Sequence, residues 1–208
     1  MNMYIGSGDT AALLSGKETQ AYQKLWAKFV SNDKPNYNAK ASPIDALRTG
    51  AILEERYSLT LDDSYFCQVK AVCDRSNVMR SSLDFSQIQE GNIVDFEELK
   101  CVFFTDYLEF MEFKDDNDLL VKYIKKEYKN YYNQVQFQLL CTGLSSALNV
   151  YVPVYSYLDD ENYQRDILES EKLKIRVYRD ESVISKIIER AEPFQYVKDH
   201  ILQESKST

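Results

Sequence analysis

The sequence predicts a mixed α/β fold in which helices pack on a central sheet. Three observations predict it. Runs rich in β-branched and aromatic residues recur five times, and helical segments precede, separate and follow them. The chain has 208 residues, 44% hydrophobic and 28% charged, which suits a domain with a real core. No repeat, low-complexity tract or shift of composition divides it, so a single domain over residues 1–208 is expected.

The elements follow in order. "GSGDTAALLSGKETQAYQKLWAKFV" reads as a helix from about Thr10, with Asp9 as its cap. "SNDKPNYNAKAS" is a polar loop. A second helix runs through "IDALRTGAILEERYSL", started by Ser42 at the cap, Pro43 at the first position and Asp45 nearby. "YFCQVKAV" and "VMRSSLDF" are strands joined by the turn "CDRSN", the second ending around Asp84. "NIVDFEELKCVFF" is a third strand, introduced by a turn at Gly91–Asn92. One long helix covers "DLLVKYIKKEYKNYYNQVQFQLLCTGL". The strands "VYVPVYSYL" and "KLKIRVYR" come next, and the helix "ESVISKIIERAEPFQYVKDHIL" closes the chain, bent at Pro193.

Composition excludes several function classes. A net charge of -8 argues against coating nucleic acid by charge alone, although it leaves room for a local basic groove. No apolar run is long enough to span a bilayer and the first residues lack a signal-peptide pattern, so a cytoplasmic protein is expected. Cys67, Cys73, Cys101 and Cys141 form no C-x-x-C pair and lie among apolar neighbours, which reads as reduced core thiols. With His200 as the single histidine, a catalytic triad or a histidine-rich metal site has almost nothing to work with.

The third strand carries the most chemistry. Residues two apart in a strand share a face, so Val94, Phe96, Glu98 and Lys100 line one side and Ile93, Asp95, Glu97 and Leu99 the other. The first face turns from apolar to charged, as a strand does on leaving a core for a polar cleft. Glu98 and Lys100 stand about 6.6 Å apart along it. Asp84 of the preceding strand lies beside Glu98 if the two strands pair. Two carboxylates converging on one point repel in a low dielectric, and a hard divalent cation, Mg²⁺ or Mn²⁺, relieves that conflict. The lysine can then orient or activate an attacking water, the chemistry of phosphodiester hydrolysis. Asp95 and Glu97, on the opposite face, read as ordinary exposed residues. Taken alone, the pattern also describes an edge strand with solvated charges, so its context must decide.

In the second helix, Gly50 is followed four residues later by Glu54. Ile44, Leu47 and Ala51 share a face there, with Glu55 near its centre and Glu54 at its edge, and periodicity does not choose between the two acids. In the long helix, Tyr131, Gln134, Gln138 and Thr142 fall on one face, as if lining a cleft. Upstream, Lys122, Lys125, Lys126 and Lys129 interleave with Tyr123, Tyr128 and Tyr132. That stretch reads as a solvated amphipathic face or, alternatively, as a surface for a DNA backbone.

The succession of Gly50 and Glu54, then "SSLDF", "EELKC" and "YYNQVQ", resembles the lambda-exonuclease-like nucleases (the YqaJ-type viral recombinases), a branch of the PD-(D/E)xK superfamily. The opening around Ser7 and the closing "IRVYRDESVISKIIERAEPFQYV" are also similar, so the resemblance covers nearly the whole chain. It implies a restriction-endonuclease-like fold, a central mixed β-sheet flanked by helices, and a Mg²⁺- or Mn²⁺-dependent exonuclease acting on double-stranded DNA ends. By the resemblance, Asp84, Glu98 and the carbonyl of Leu99 hold the metal, Lys100 assists the attacking water, and Glu54 supplies the helix-borne carboxylate. Tyr131 and Gln134 match the family's Tyr-x-x-Gln. The resemblance also implies a single-strand annealing partner, a homotrimer, and the host cytoplasm if the protein is phage-encoded. Leu83 departs from the proline usual before the aspartate. Family members carry a Trp/His/Arg-containing segment before the first helix that holds the DNA 5′ phosphate. This sequence shows none, so that contact would fall to Arg48 or to lysines such as Lys125 and Lys129, while Ser7 is carried over as a DNA-binding position from the family's first-helix entry. Two alternatives remain open: a non-catalytic DNA-binding or assembly protein of this fold, and an endonuclease of the RecB-like group.

Overall fold

The computed structural model of the protein describes residues 3–31, 44–156 and 166–204. The chain enters through a 3-10 turn (Ser7–Asp9), followed by α1 (Thr10–Leu14), α2 (Gln20–Ser31) and α3 (Ile44–Ser58). The first helix expected from sequence is therefore two. Ser15 and Thr19 bond back to the carbonyls of Ala12 and Gly16, at 2.7 and 2.8 Å, which ends α1. Thr19 then accepts the Tyr22 amide and so caps α2. Asp9 sits at the cap position of α1, but its carboxylate turns back to the Gly6 amide and to Lys28. Ser42 and Pro43 lie outside the described residues.

Three strands come next, β1 (Tyr65–Val72), β2 (Arg80–Gln89) and β3 (Asn92–Phe103), each antiparallel to the one before. The β2–β3 turn is Glu90–Gly91, one residue earlier than expected. Both have positive φ (52° and 80°), as a two-residue hairpin loop with primed geometry requires. β3 is parallel to β4 (Ser146–Val154), and a parallel pair demands a crossover. The crossover is made by α4 (Phe104–Met111), α5 (Asn117–Glu127) and α6 (Lys129–Thr142). β5 (Leu173–Tyr178) adds antiparallel to β4, and α7 (Glu181–Glu204) runs on through Pro193. The result is a five-stranded mixed sheet in the order β1-β2-β3-β4-β5, flanked by helices, as the sequence predicts. No helix among the described residues is long and apolar enough to cross a membrane.

Two parts of the crossover differ from expectation. α4 was not anticipated, although Tyr107 and Phe110 give it a short buried stripe. The single long helix is broken at Tyr128, which leaves helical geometry (φ -115°, ψ 46°). No glycine or proline signals that break. It comes from packing: the Tyr128 ring meets Phe110 edge-on at 4.7 Å.

Apolar side chains cover both faces of the sheet. The larger cluster joins Phe96 and Val102 of β3 to Val135, Leu139 and Leu140 of α6 and to Phe194 of α7. The smaller one joins Leu53 and Tyr57 of α3 to Phe85, Leu99, Val150 and Val152. The buried face of α3 is thus Thr49, Leu53 and Tyr57, not the face predicted from Ile44, Leu47 and Ala51; Leu47 is 68% exposed. Cys67 is also exposed, contrary to its reading as a core thiol, whereas Cys73 and Cys141 are buried.

Candidate active site

β2 and β3 stop pairing where the acids are. Their ladder runs from the hairpin to Phe85–Glu97, and Asp84 has no ladder partner in either neighbouring strand. Asp84 lies in mid-strand rather than at a strand end. Leu83 joins the large core and Phe85 the small one, so β2 rotates at this residue. The Asp84 carboxylate takes over from the backbone ladder, accepting the Leu99 amide at 3.0 Å.

Glu98, 2% exposed, faces α6. Its Oε1 accepts from Lys100 Nζ and from Gln134 Nε2, both at 2.6 Å, and its Oε2 accepts from Gln138 Nε2 at 2.5 Å. Gln134 turns its own Oε1 to Lys100 Nζ at 3.1 Å, closing a triangle of acid, amide and ammonium. The Lys100 ammonium also lies 5.7 Å from the centre of the Tyr131 ring. Spacings of three and four on α6 therefore deliver Tyr131, Gln134 and Gln138 to one point. Gln138 was visible as a member of that face but was not singled out as a site residue.

The electrostatics are asymmetric. Burial drives the Asp84 carboxyl well above the ordinary carboxylate range, and the Glu98 charge pushes it further, with a smaller push from Glu54; Lys100 and the Leu99 amide offset only part. Burial alone would lower Lys100, but Glu98 outweighs it and the net direction is upward, so the side chain is held as an ammonium. In this state it serves as a charge and a donor rather than as a base. Cys101, next along the strand, is pushed up to about 12 by burial and is an unreactive thiol.

Glu54 stands half-buried near this pair, accepting from Gln68 Nε2 of β1, whereas Glu55 is exposed. Among the described residues no three His, Cys, Asp or Glu side chains gather as a metal cluster, so Glu54 does not complete a three-carboxylate set. The donors that converge are Asp84 and Glu98. Two carboxylates in conflict suit a hard cation that keeps water and phosphate oxygens for the rest of its shell.

The residues assigned to DNA contact are scattered. Ser7 is buried in the 3-10 turn, packed against α6 and β2, and is not open surface. Arg48 is exposed on α3. Lys125 pairs with Asp180 at 2.7 Å. Lys129 opens α6 and, with Tyr128, Asn130 and Tyr131, lines a cavity of about 290 Å³. Glu97 departs furthest from expectation: it is 4% exposed and hydrogen-bonded to Tyr57 and Tyr65.

No family model and no curated protein matches the sequence. Solved structures do match. An alkaline exonuclease from Laribacter hongkongensis aligns over 99% of this chain and 94% of its own, with a TM-score of 0.62 at 13% identity. The same enzyme in complex with dAMP gives 0.62 at 15% over the same shares. A phage-related exonuclease from Haemophilus somnus gives 0.60 at 15%, over 99% of this chain and 97% of that one. The chain has the lambda-exonuclease-like fold. The match spans 99% of this chain, so the likeness covers the fold as a whole.

Proposed function

We propose that the protein is a metal-dependent deoxyribonuclease acting on the ends of double-stranded DNA. The observation that carries this reading is the convergence of Asp84, Glu98 and Lys100 at the break between β2 and β3, in a fold shared with exonucleases. Asp84 and Glu98 would hold Mg²⁺ or Mn²⁺, which supplies charge for the phosphate and acidifies a water. The Leu99 amide fixes Asp84 and the two glutamine amides fix Glu98, so both carboxylates are oriented before a ligand arrives. The Lys100 ammonium is placed to stabilise charge that grows on the phosphate as the water oxygen bonds to phosphorus and the sugar oxygen departs. Gln134 holds Lys100 in line, and Glu54 bounds the pocket on the α3 side.

Incubation with linear duplex DNA and Mg²⁺, beside Asp84→Ala and Lys100→Ala, tests the reading. Degradation by the wild type and not by the variants supports it, and equal inactivity of all three defeats it. A covalently closed circle separates end-dependent action from endonuclease action, since an exonuclease needs an end. Light scattering tests the homotrimer that the resemblance implies. A second reading draws on the missing third carboxylate: a DNA-binding or assembly protein that keeps the fold without catalysis. Calorimetric titration with Mn²⁺ discriminates, because only the nuclease reading requires a metal site that Asp84→Ala abolishes.

A further inference from the structure

We infer that Glu97 is a positioning residue that sets Glu54 against the catalytic pair from the opposite face of the same strand; the inference rests on the nuclease reading above.

Glu97 and Glu98 are consecutive in β3, so parity sends them to opposite faces. A carboxylate as buried as Glu97 is costly unless its oxygens are hydrogen-bonded. Each oxygen has one tyrosine: Oε2 accepts from Tyr57 OH at 2.5 Å and Oε1 from Tyr65 OH at 2.8 Å. Tyr57 belongs to α3 and is wholly buried; Tyr65 is the first residue of β1. One carboxylate thereby ties α3 and β1 to β3.

Those two elements also form the outer wall of the site. Glu54 precedes Tyr57 by three residues on α3, and Gln68 follows Tyr65 by three on β1. Gln68 Nε2 donates to Glu54, and Gln68 Oε1 accepts from Ser82 Oγ at 2.8 Å, which in turn accepts from Lys70 Nζ at 2.8 Å. Gln68 has φ of 52°, a left-handed conformation rare for a residue with a side chain, at the point opposite Asp84 where the β1–β2 ladder skips one pair while keeping its register on either side. The backbone is held off its usual path where Gln68 meets Glu54.

Apolar packing alone cannot supply this precision. α3 rests on the sheet through Leu53 and Tyr57, and the hydrophobic drive behind such contacts is non-directional. The two hydroxyl–carboxylate bonds are directional and set where along β3 the helix stands. Glu54 depends on that placement, because its partner Gln68 hangs from the same anchor through Tyr65.

The test uses Tyr57→Phe, which keeps the ring and removes the bond, with Tyr65→Phe, Glu97→Gln and Glu54→Gln. On linear duplex DNA with Mg²⁺, Tyr57→Phe should lower kcat on the order of tenfold, the size usual for outer-shell partners, with KM nearly unchanged. In a Glu54→Gln background Tyr57→Phe should cost nothing further, because the two act through one path. Hydrogen exchange of α3 amides should quicken in Tyr57→Phe and partly recover in Glu97→Gln, which retains a carbonyl acceptor. A purely structural role predicts a lower Tm with kcat unchanged well below it, and a route to kcat independent of Glu54 predicts additive losses with Glu54→Gln; either result overturns the inference. If the wild type does not cleave DNA, the nuclease reading fails on its own, and α3 exchange still decides whether Glu97 anchors the helix.

Discussion

Glu97 and Glu98 are neighbours in one strand and are almost equally buried, yet their surroundings treat them in opposite ways. Glu98 meets an ammonium and two amides, and a second acid, Asp84, lies close enough to be perturbed by its charge. Glu97 meets two phenolic hydroxyls, on the face where Leu99, Tyr57 and Phe85 form the small core. Neutral donors hold a carboxylate in one geometry and ask nothing more of it. A cation beside two converging acids stores electrostatic conflict, which is what a ligand or a metal can relieve. On the proposed reading, the contrast separates a carboxylate built for support from one built for chemistry.

The sharpest break of that contrast is catalytic. Lys100→Ala should lower the DNA cleavage rate by about 10²–10⁴-fold, the range for a charge or proton-handling group at the reacting centre. Glu97→Gln should cost far less in the same assay. Comparable losses at both positions would erase the distinction drawn between them.

Stability should rank the two faces in the same order. Glu98→Ala leaves the Lys100 ammonium without its counter-charge in a largely buried position, a loss of about 3–5 kcal/mol. Glu97→Ala leaves the wholly buried Tyr57 hydroxyl unpaired, about 1–3 kcal/mol, while the partly buried Tyr65 hydroxyl can turn to water. Urea denaturation of both variants checks the order.

Asp84 predicts the opposite sign. Its folded-state affinity for a proton is raised, so between the ordinary carboxylate pKa and its own raised value the folded protein binds a proton that the unfolded chain does not. Stability from this group therefore falls as pH rises through that window and levels off above it. In metal-free protein Asp84→Asn should remove the slope and raise Tm at neutral pH by a few degrees, while abolishing cleavage. Denaturation curves at several pH values read this directly, and a Tm lowered at every pH would refute it. The smallest effect belongs to Tyr65→Phe. Tyr65 is only partly buried and its bond should be worth about 0.5–1.5 kcal/mol, less than the wholly buried Tyr57.

Much of this was legible in the chain itself. The five strands follow from local composition, and period-two parity separated Glu98 from Glu97 and paired it with Lys100. The Tyr131–Gln134–Gln138 face follows from helical spacing. What was not legible depends on contacts between distant residues. The split at Tyr128 answers to Phe110, and α4 is short enough that its stripe of Tyr107 and Phe110 did not stand out. The α3 face was misread because Thr49 and Tyr57 carry hydroxyls, which look exposed until a partner such as Glu97 is seen.

By itself, then, the sequence determined the order and type of the main elements and the faces to which the residues of β3 point, because periodicities of 2 and 3.6 are local properties of the backbone. Tertiary structure alone decided that Glu97 would be buried against two tyrosines instead of facing solvent, and that Asp84 would replace a ladder bond. Those outcomes depend on which elements come to lie against β3, and the cost of burying a charge is settled only by the donors that other elements bring to it.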